Sequence, residues 1–524
     1  MRRRKRRDFG IVSGSHQHRN RTRLTLAVAA LVGAVAVCLG SPGFGSLWAD
    51  TYLLLYSGRW IIQHGLPHHA TLTLAAGGRG VVDQQWLAAV IDYESWRVAG
   101  YNGLALLSAA SFGGGLAGLA VLLRRRGASM SLTFCCAALA LFTTLGLTFI
   151  RAQLFAIPLF VAVLWLCVED SQRPEPSWRA LALLAVLVLW ANLHGSVLVG
   201  AALAVAYLLG RAVSRRGPGC RRARAAYLVL AAGAALTALA TPYGVHMLGY
   251  YREMLGNHAL GLADVEWNPP SFPALSFFQF AIPLAIGLIA AGFAMRGGRR
   301  PAWVLALAFV LTAIAAAIAV RNEVWLGLAA SALVADALRG ALPSVRFALP
   351  APLARPWREA TLDLMPFTAA ALACLGLGQL VIRGPGAFES HAPLRALAAT
   401  ASYVSAHPCA RVLGDDASAS ALLWLDPNAA GHVGFDAQLE AYPSAALADW
   451  VAFESASGRG WLRAADGYQV LVGSATTQPA LVARLQTLAG GRALASDSRG
   501  IAVLHPASSA GCAANRTPGV VADA

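Results

Sequence analysis

A chain of 524 residues that is 57% hydrophobic and 13% charged, with a positive mean hydropathy, is excluded from the soluble globular class. Its formal net charge of +16 would suit a nucleic-acid binder, but the placement of that charge argues for no nucleic acid partner. Of the 42 basic residues, 27 fall in the N-terminal tail and in alternate short loops between apolar runs, whereas the part from Arg383 onward carries 9 basic and 11 acidic residues. That is the positive-inside pattern, which sets the orientation of a membrane protein. Lys5 is the only lysine, and the wealth of Arg, Ala and Gly points to a GC-rich bacterial genome.

About 20 apolar residues cross a hydrocarbon core. Residues 1–23 read as a basic cytoplasmic tail. The apolar run 24–40 has the basic flank of a secretion signal, but the polar stretch before it is long and many spans follow, so an uncleaved signal anchor is expected. A polar, aromatic loop follows at 41–101, with two segments, 50–64 and 84–98, patterned as helices lying on the outer membrane surface. Further spans are expected at 102–123, 130–148, 152–168, 181–193, 197–209, 226–240, 277–295, 303–320, 324–338 and 362–382. The expected fold class is therefore a polytopic α-helical protein with about eleven transmembrane helices, occupying 24–382. The odd number puts the remainder opposite the basic tail, outside a bacterial plasma membrane.

Residues 383–506 have the composition of a small extracytoplasmic α/β domain, and 507–524 that of a disordered tail. Buried strands are expected at 411–413, 432–435, 469–472 and 501–504, with helices at 444–454 and 479–488, an alternation that predicts a mainly parallel sheet. Asp415 and Asp416, just after a strand, are expected to cap the next helix. Cys409 and Cys512 are the two cysteines of this polar region and are available to pair in an oxidising compartment.

Polar side chains near hydrocarbon are costly and point to function. They gather at the outer ends of spans: Arg151 and Gln153, Asn192 and His194, Glu266 with Trp267, and Arg321 with Asn322. All lie at the depth of the loop that holds Asp50, Arg59, Asp83, Trp86 and Trp96. Carboxylates above arginines and a histidine suit an anionic, lipid-linked substrate, because cations hold phosphate and a carboxylate can act as general base on an acceptor hydroxyl. Asp50 and Asp83 are the candidate catalytic residues. Arg59, Trp86, Arg151, Gln153, Asn192, His194, Glu266, Arg321 and Asn322 are the candidate substrate-binding residues. Plainer roles stand beside these: arginines reaching for headgroups, Asn192 as a helix cap, His194 as a turn residue, and tryptophans as interfacial anchors. The adjacent His68 and His69 point in different directions, and no spacing supports a divalent metal, so the cofactor is unassigned.

The motifs Asp50-Thr-Tyr-Leu-Leu-Leu-Tyr-Ser-Gly-Arg-Trp-Ile-Ile62, Val82-Asp-Gln-Gln-Trp-Leu87, Arg151-Ala-Gln-Leu-Phe155, Trp190-Ala-Asn-Leu-His-Gly195, Thr241-Pro-Tyr-Gly244, Glu266-Trp267, Arg321-Asn322 and Val433-Gly-Phe-Asp-Ala-Gln438 occur in consistent order along the chain. On them the chain resembles a family of bacterial polytopic membrane proteins grouped with the GT-C glycosyltransferase superfamily, as a divergent member. The resemblance implies a polyprenyl-phosphate-linked sugar as donor and a carboxylate in the first outer loop, here Asp50, that acts as base or orients the acceptor. The chain departs from the resembled pattern at Tyr52, Leu53 and Leu54 in place of Trp-Trp-His, at Gln84 and Gln85 in place of His-Glu, and at Gln438 in place of an Arg. Two functions are therefore open. One is transfer of a sugar from the lipid-linked donor to a cell-envelope glycan or protein. The other is a catalytically degenerate relative that binds lipid-linked glycan or scaffolds envelope assembly. A transporter fits less well, since the polar residues sit at span ends rather than in interrupted mid-membrane helices.

Overall fold

The computed structural model describes residues 4–215, 220–340, 351–458 and 460–505. Each of the eleven expected spans falls on a helix. Seven helical stretches, Thr22–Phe44, Trp86–Arg125, Gln153–Ser171, Val197–Ser214, Arg221–Leu239, Leu275–Arg296 and Leu364–Val381, are long and apolar enough to cross a membrane. Met130–Thr144, Trp178–Leu193 and Trp303–Ile318 are shorter apolar helices, and Glu323–Leu338 completes the set. This last helix is buried on all its faces, as a helix apolar all round should be. Of its two buried carboxylates, Asp336 is matched by Arg126 at 2.6 Å and by the backbone N–H of Ala302 at 2.8 Å, whereas Glu323 Oε1 has no hydrogen-bond partner among the described residues.

Both expected surface helices form, and the second is more than a surface helix. Ala49–His64 stands alone, whereas Trp86–Arg125 runs from the loop into the next span with a kink at Ala99 and Gly100. Gly100 has a φ of 61°, a conformation that costs glycine little and other residues more, so the chain changes direction there.

The C-terminal region carries four strands, β1 (Val412–Gly414), β2 (Val470–Ser474), β3 (Arg492–Asp497) and β4 (Gly500–Leu504), in the order β1-β2-β4-β3. β1 and β2 are parallel, while β2–β4 and β4–β3 are antiparallel, so the expected mainly parallel sheet is corrected to a mixed one. The physical reason is the hairpin. Asp497 Oδ1 accepts hydrogen bonds from the backbone N–H groups of Arg499 (2.8 Å) and Gly500 (3.1 Å), and a connection that short joins only antiparallel strands. The strand expected at 432–435 reduces to Val433, which bridges Val412 on one side and Thr73 of the first loop on the other. Helices Ser444–Glu454 and Pro479–Gln486 form as expected, and Asp415 caps Asp416–Leu425 by accepting from Ser418 N at 2.9 Å. The tail 507–524 lies outside the described residues, as does Cys512, the residue expected to pair with Cys409.

The first loop and the C-terminal region are joined as one surface. Leu74 N donates to Val433 O at 2.8 Å and Ala75 N to Gly434 O at 3.0 Å. Tyr56 Oη donates to Asp436 Oδ2 at 2.5 Å and Tyr442 Oη to Asp436 Oδ1 at 2.6 Å. Arg59 donates to the carbonyls of Trp424 (2.9 Å) and Leu423 (2.7 Å), at the C-terminal end of helix Asp416–Leu425, where free carbonyls favour a cation. Trp96 meets Trp424 edge to face at 4.7 Å.

Candidate functional site

Four places where the chain turns at the loop end of the bundle converge on one cavity of about 460 Å³. Asp50 sits in the first turn of helix Ala49–His64, and Arg151 immediately precedes helix Gln153–Ser171. His194 separates Trp178–Leu193 from Val197–Ser214, and Arg321 lies in the turn Val320–Asn322. All four line the cavity, together with Gln153 and Asn322. Its roof comes from Gln84 and Gln85 of the first loop and Ala437, Leu439 and Glu440 of the C-terminal region.

Arg151 is the electrostatic centre. Its Nη1 and Nη2 donate to Glu266 Oε1 and Oε2 at 2.9 and 3.1 Å, a two-pronged pairing, and Nη2 lies 3.3 Å from Asp50 Oδ2. The guanidinium, buried over the Phe149 ring at 4.7 Å, therefore already answers two carboxylates. Burial opposes the charge of Glu266, but Arg151 outweighs it and holds the carboxyl below its ordinary range. Asp264, two residues earlier, is raised to about 6 by burial and by its neighbour Glu266.

Arg321 is in a different state. It stacks on Trp267 at 4.1 Å and makes no ion pair among the described residues. Its backbone carbonyl accepts from Gln153 Nε2 at 3.3 Å, which ties the two turns together. His194 Nδ1 accepts from Ser196 N at 3.1 Å and contacts Ser196 Oγ at 2.8 Å, so the proton of the neutral ring resides on Nε2. Burial, with Arg321 and Arg151 nearby, pushes this imidazole well below its ordinary pKa and keeps it neutral.

Four of the candidates stand elsewhere. Trp86 Nε1 donates to Asn192 Oδ1 at 2.9 Å, and Asn192 Nδ2 donates to the carbonyls of Val188 and Ala240, so this pair fastens the first loop to two helix ends. Arg59 is spent on helix Asp416–Leu425, as described above. Asp83 is buried beside a small pocket that it shares with Asp436, accepts from Gln85 N at 3.1 Å, and is raised by burial to about 7. Sequence reasoning missed Tyr250 and Glu440, which both line the main cavity and are joined by a Tyr250 Oη to Glu440 Oε1 hydrogen bond of 3.2 Å. Glu440 lies two residues past the motif ending at Gln438, a signal that was present but unread. Among the described residues no three His, Cys, Asp or Glu side chains form a group that could hold a metal ion.

No protein-family model and no curated protein matches the chain. Solved structures do. The apo oligosaccharyltransferase of Archaeoglobus fulgidus superposes with a TM-score of 0.50 at 12% identity, over 86% of this chain and 69% of that one. ArnT from Cupriavidus metallidurans bound to undecaprenyl phosphate gives a TM-score of 0.47 at 15% identity, over 90% and 96% of the two chains. The chain is thus a multi-pass membrane protein with the fold of the GT-C glycosyltransferases.

Proposed function

We propose that the protein transfers a sugar from a polyprenyl-phosphate donor to a hydroxyl of a cell-envelope glycan or protein, at the outer face of a bacterial plasma membrane. One observation carries this reading: Asp50, Arg151, His194 and Arg321, from four separate turns, line a single cavity. That cavity is amphiphilic. Its lining also includes Leu198, Val199, Leu255 and Ile318. Leu255 and Ile318 are 70% and 65% exposed, and in this reading they offer a prenyl chain an apolar path out of the cavity.

In this reading Arg321, which makes no ion pair among the described residues, holds the donor phosphate, and His194 Nε2–H adds a neutral hydrogen bond. The bond from the sugar C1 to the phosphate oxygen breaks, and polyprenyl phosphate leaves with the electron pair. The acceptor oxygen bonds to C1 as its proton passes to Asp50. Arg151 positions Asp50 and Glu266 rather than binding donor. The second function stays open on a specific observation: Gln84 and Gln85 line the cavity, and amides hydrogen-bond but do not relay protons.

The test is turnover of a polyprenyl-phosphate sugar by purified protein in detergent. Transfer by the wild type and its loss in Asp50→Asn are expected. Transfer that survives Asp50→Asn removes Asp50 from the mechanism, whereas wild-type binding without transfer leaves only the lipid-linked-glycan binder.

A further inference from the structure

A second cavity, of about 610 Å³, abuts the first and differs from it in chemistry. His68, His69 and Arg79 of the first loop, His246 and Glu253 of helix His246–Gly256, and Gln438 of the C-terminal region line it. Its only aliphatic side chains are Val81, Val82 and Ala441, against the row of leucines and isoleucine in the first cavity. His246, Tyr250 and Glu253 recur at helical spacing, so one polar stripe of that helix faces the bowl. The opposite stripe, with Leu248 and Leu255 exposed, belongs to the apolar side.

Arg79 is exposed and, among the described residues, its guanidinium has no carboxylate partner. A charged fork ringed by imidazoles, an amide and a carboxylate offers many donors and acceptors to hydroxyls and one strong site to an anion. The two cavities share Tyr250 and Glu440, whose hydrogen bond forms the wall between them.

We propose that this second cavity binds the acceptor as a saccharide bearing a carboxylate or phosphate group, anchored on Arg79, with its reacting hydroxyl reaching Asp50 past the Tyr250–Glu440 pair. The assignment of acceptor rests on the transfer reading above; the saccharide site itself does not. A chamber lined in part by leucines and an isoleucine and another rich in imidazole, guanidinium, amide and carboxylate groups, meeting at a single hydrogen-bonded pair, suit one lipid-borne and one water-borne substrate.

The test uses full-length protein in detergent with glucose, glucuronate and glucose 6-phosphate as probes, and diethyl pyrocarbonate labelling read by mass spectrometry. Both anionic sugars should slow labelling of His68, His69 and His246 but not of the exposed His64 and His407, with glucuronate and glucose 6-phosphate separating carboxylate from phosphate preference. Glucose should act only at about tenfold higher concentration, the worth of one charge-assisted contact. Arg79→Ala should erase that difference. No protection by any probe, equal protection at His64 and His407, or an unchanged preference in Arg79→Ala overturns the site. In the transfer assay the anionic probes should inhibit without raising the KM of the polyprenyl-phosphate sugar, and competition with the donor overturns the acceptor role. If transfer itself fails while the histidines are still protected, the transfer reading falls and the saccharide site stands.

Discussion

Replacing Arg151 with Met removes the one cation that answers both Glu266 and Asp50. The Arg151 side chain is 9% exposed, that of Glu266 24% and that of Asp50 39%, so the two carboxylates lose their partner in a site only partly open to water. Breaking a fully buried pair costs about 3–5 kcal/mol, and the partial exposure of both acids reduces this to about 2–3 kcal/mol. Glu266→Gln alone, which leaves Arg151 with Asp50, should cost about 1 kcal/mol. The double variant Arg151→Met/Glu266→Gln should be more stable than Arg151→Met by about 1 kcal/mol, because the stranded charge is gone. Denaturant unfolding in detergent micelles measures all three. A loss below about 0.5 kcal/mol for Arg151→Met, or no gain on adding Glu266→Gln, would refute Arg151 as the clamp of the two acids.

Arg321→Ala should weaken binding of a polyprenyl-phosphate sugar at least tenfold, the worth of one charge-assisted phosphate contact, with little change in unfolding; titration of the lipid by fluorescence checks it. Arg59→Ala should free the end of helix Asp416–Leu425 and cost about 1.5–3 kcal/mol, seen as faster proteolysis within the C-terminal region. Asp83 is raised by burial to about 7, above its unfolded value, so the folded state holds an extra proton in between. Its contribution is therefore largest below about pH 4 and is lost as pH rises toward 7. Asp83→Asn should flatten the pH dependence of the unfolding midpoint across that window, and an unchanged slope would count against a buried, protonated Asp83.

The helices were legible because hydrocarbon imposes length and apolarity that composition reports directly. The lining residues Arg151, His194 and Arg321 were also legible, since each is a polar residue at a span end, as was Asp50, at the start of a helix in the polar first loop. Arg59, Trp86 and Asn192 looked alike by that criterion and turned out to fasten elements together. A sequence records which side chains stop at the membrane face, but not which of them already have a partner in the chain. Only coordinates separate Arg151, held by two acids, from Arg321, held by none among the described residues. β3 was missed because Arg492, Ala493, Leu494, Ala495, Ser496 and Asp497 alternate too weakly to read as a strand, and the hairpin that secures it lies in backbone bonds to Asp497.

The hydrogen bond from Tyr56 to Asp436 spans 380 residues, and the pairing of Leu74 with Val433 nearly as many. During synthesis the early loop is made long before the segment around Val433 that it pairs with, and its backbone groups there stay unpaired while the intervening helices are made. Biogenesis thus has a late closing step, and a ribosome that stalls before that step leaves a bundle whose chamber lacks a ceiling. Excising the C-terminal region at the point where its composition changes would reproduce that unfinished molecule rather than release an independent module.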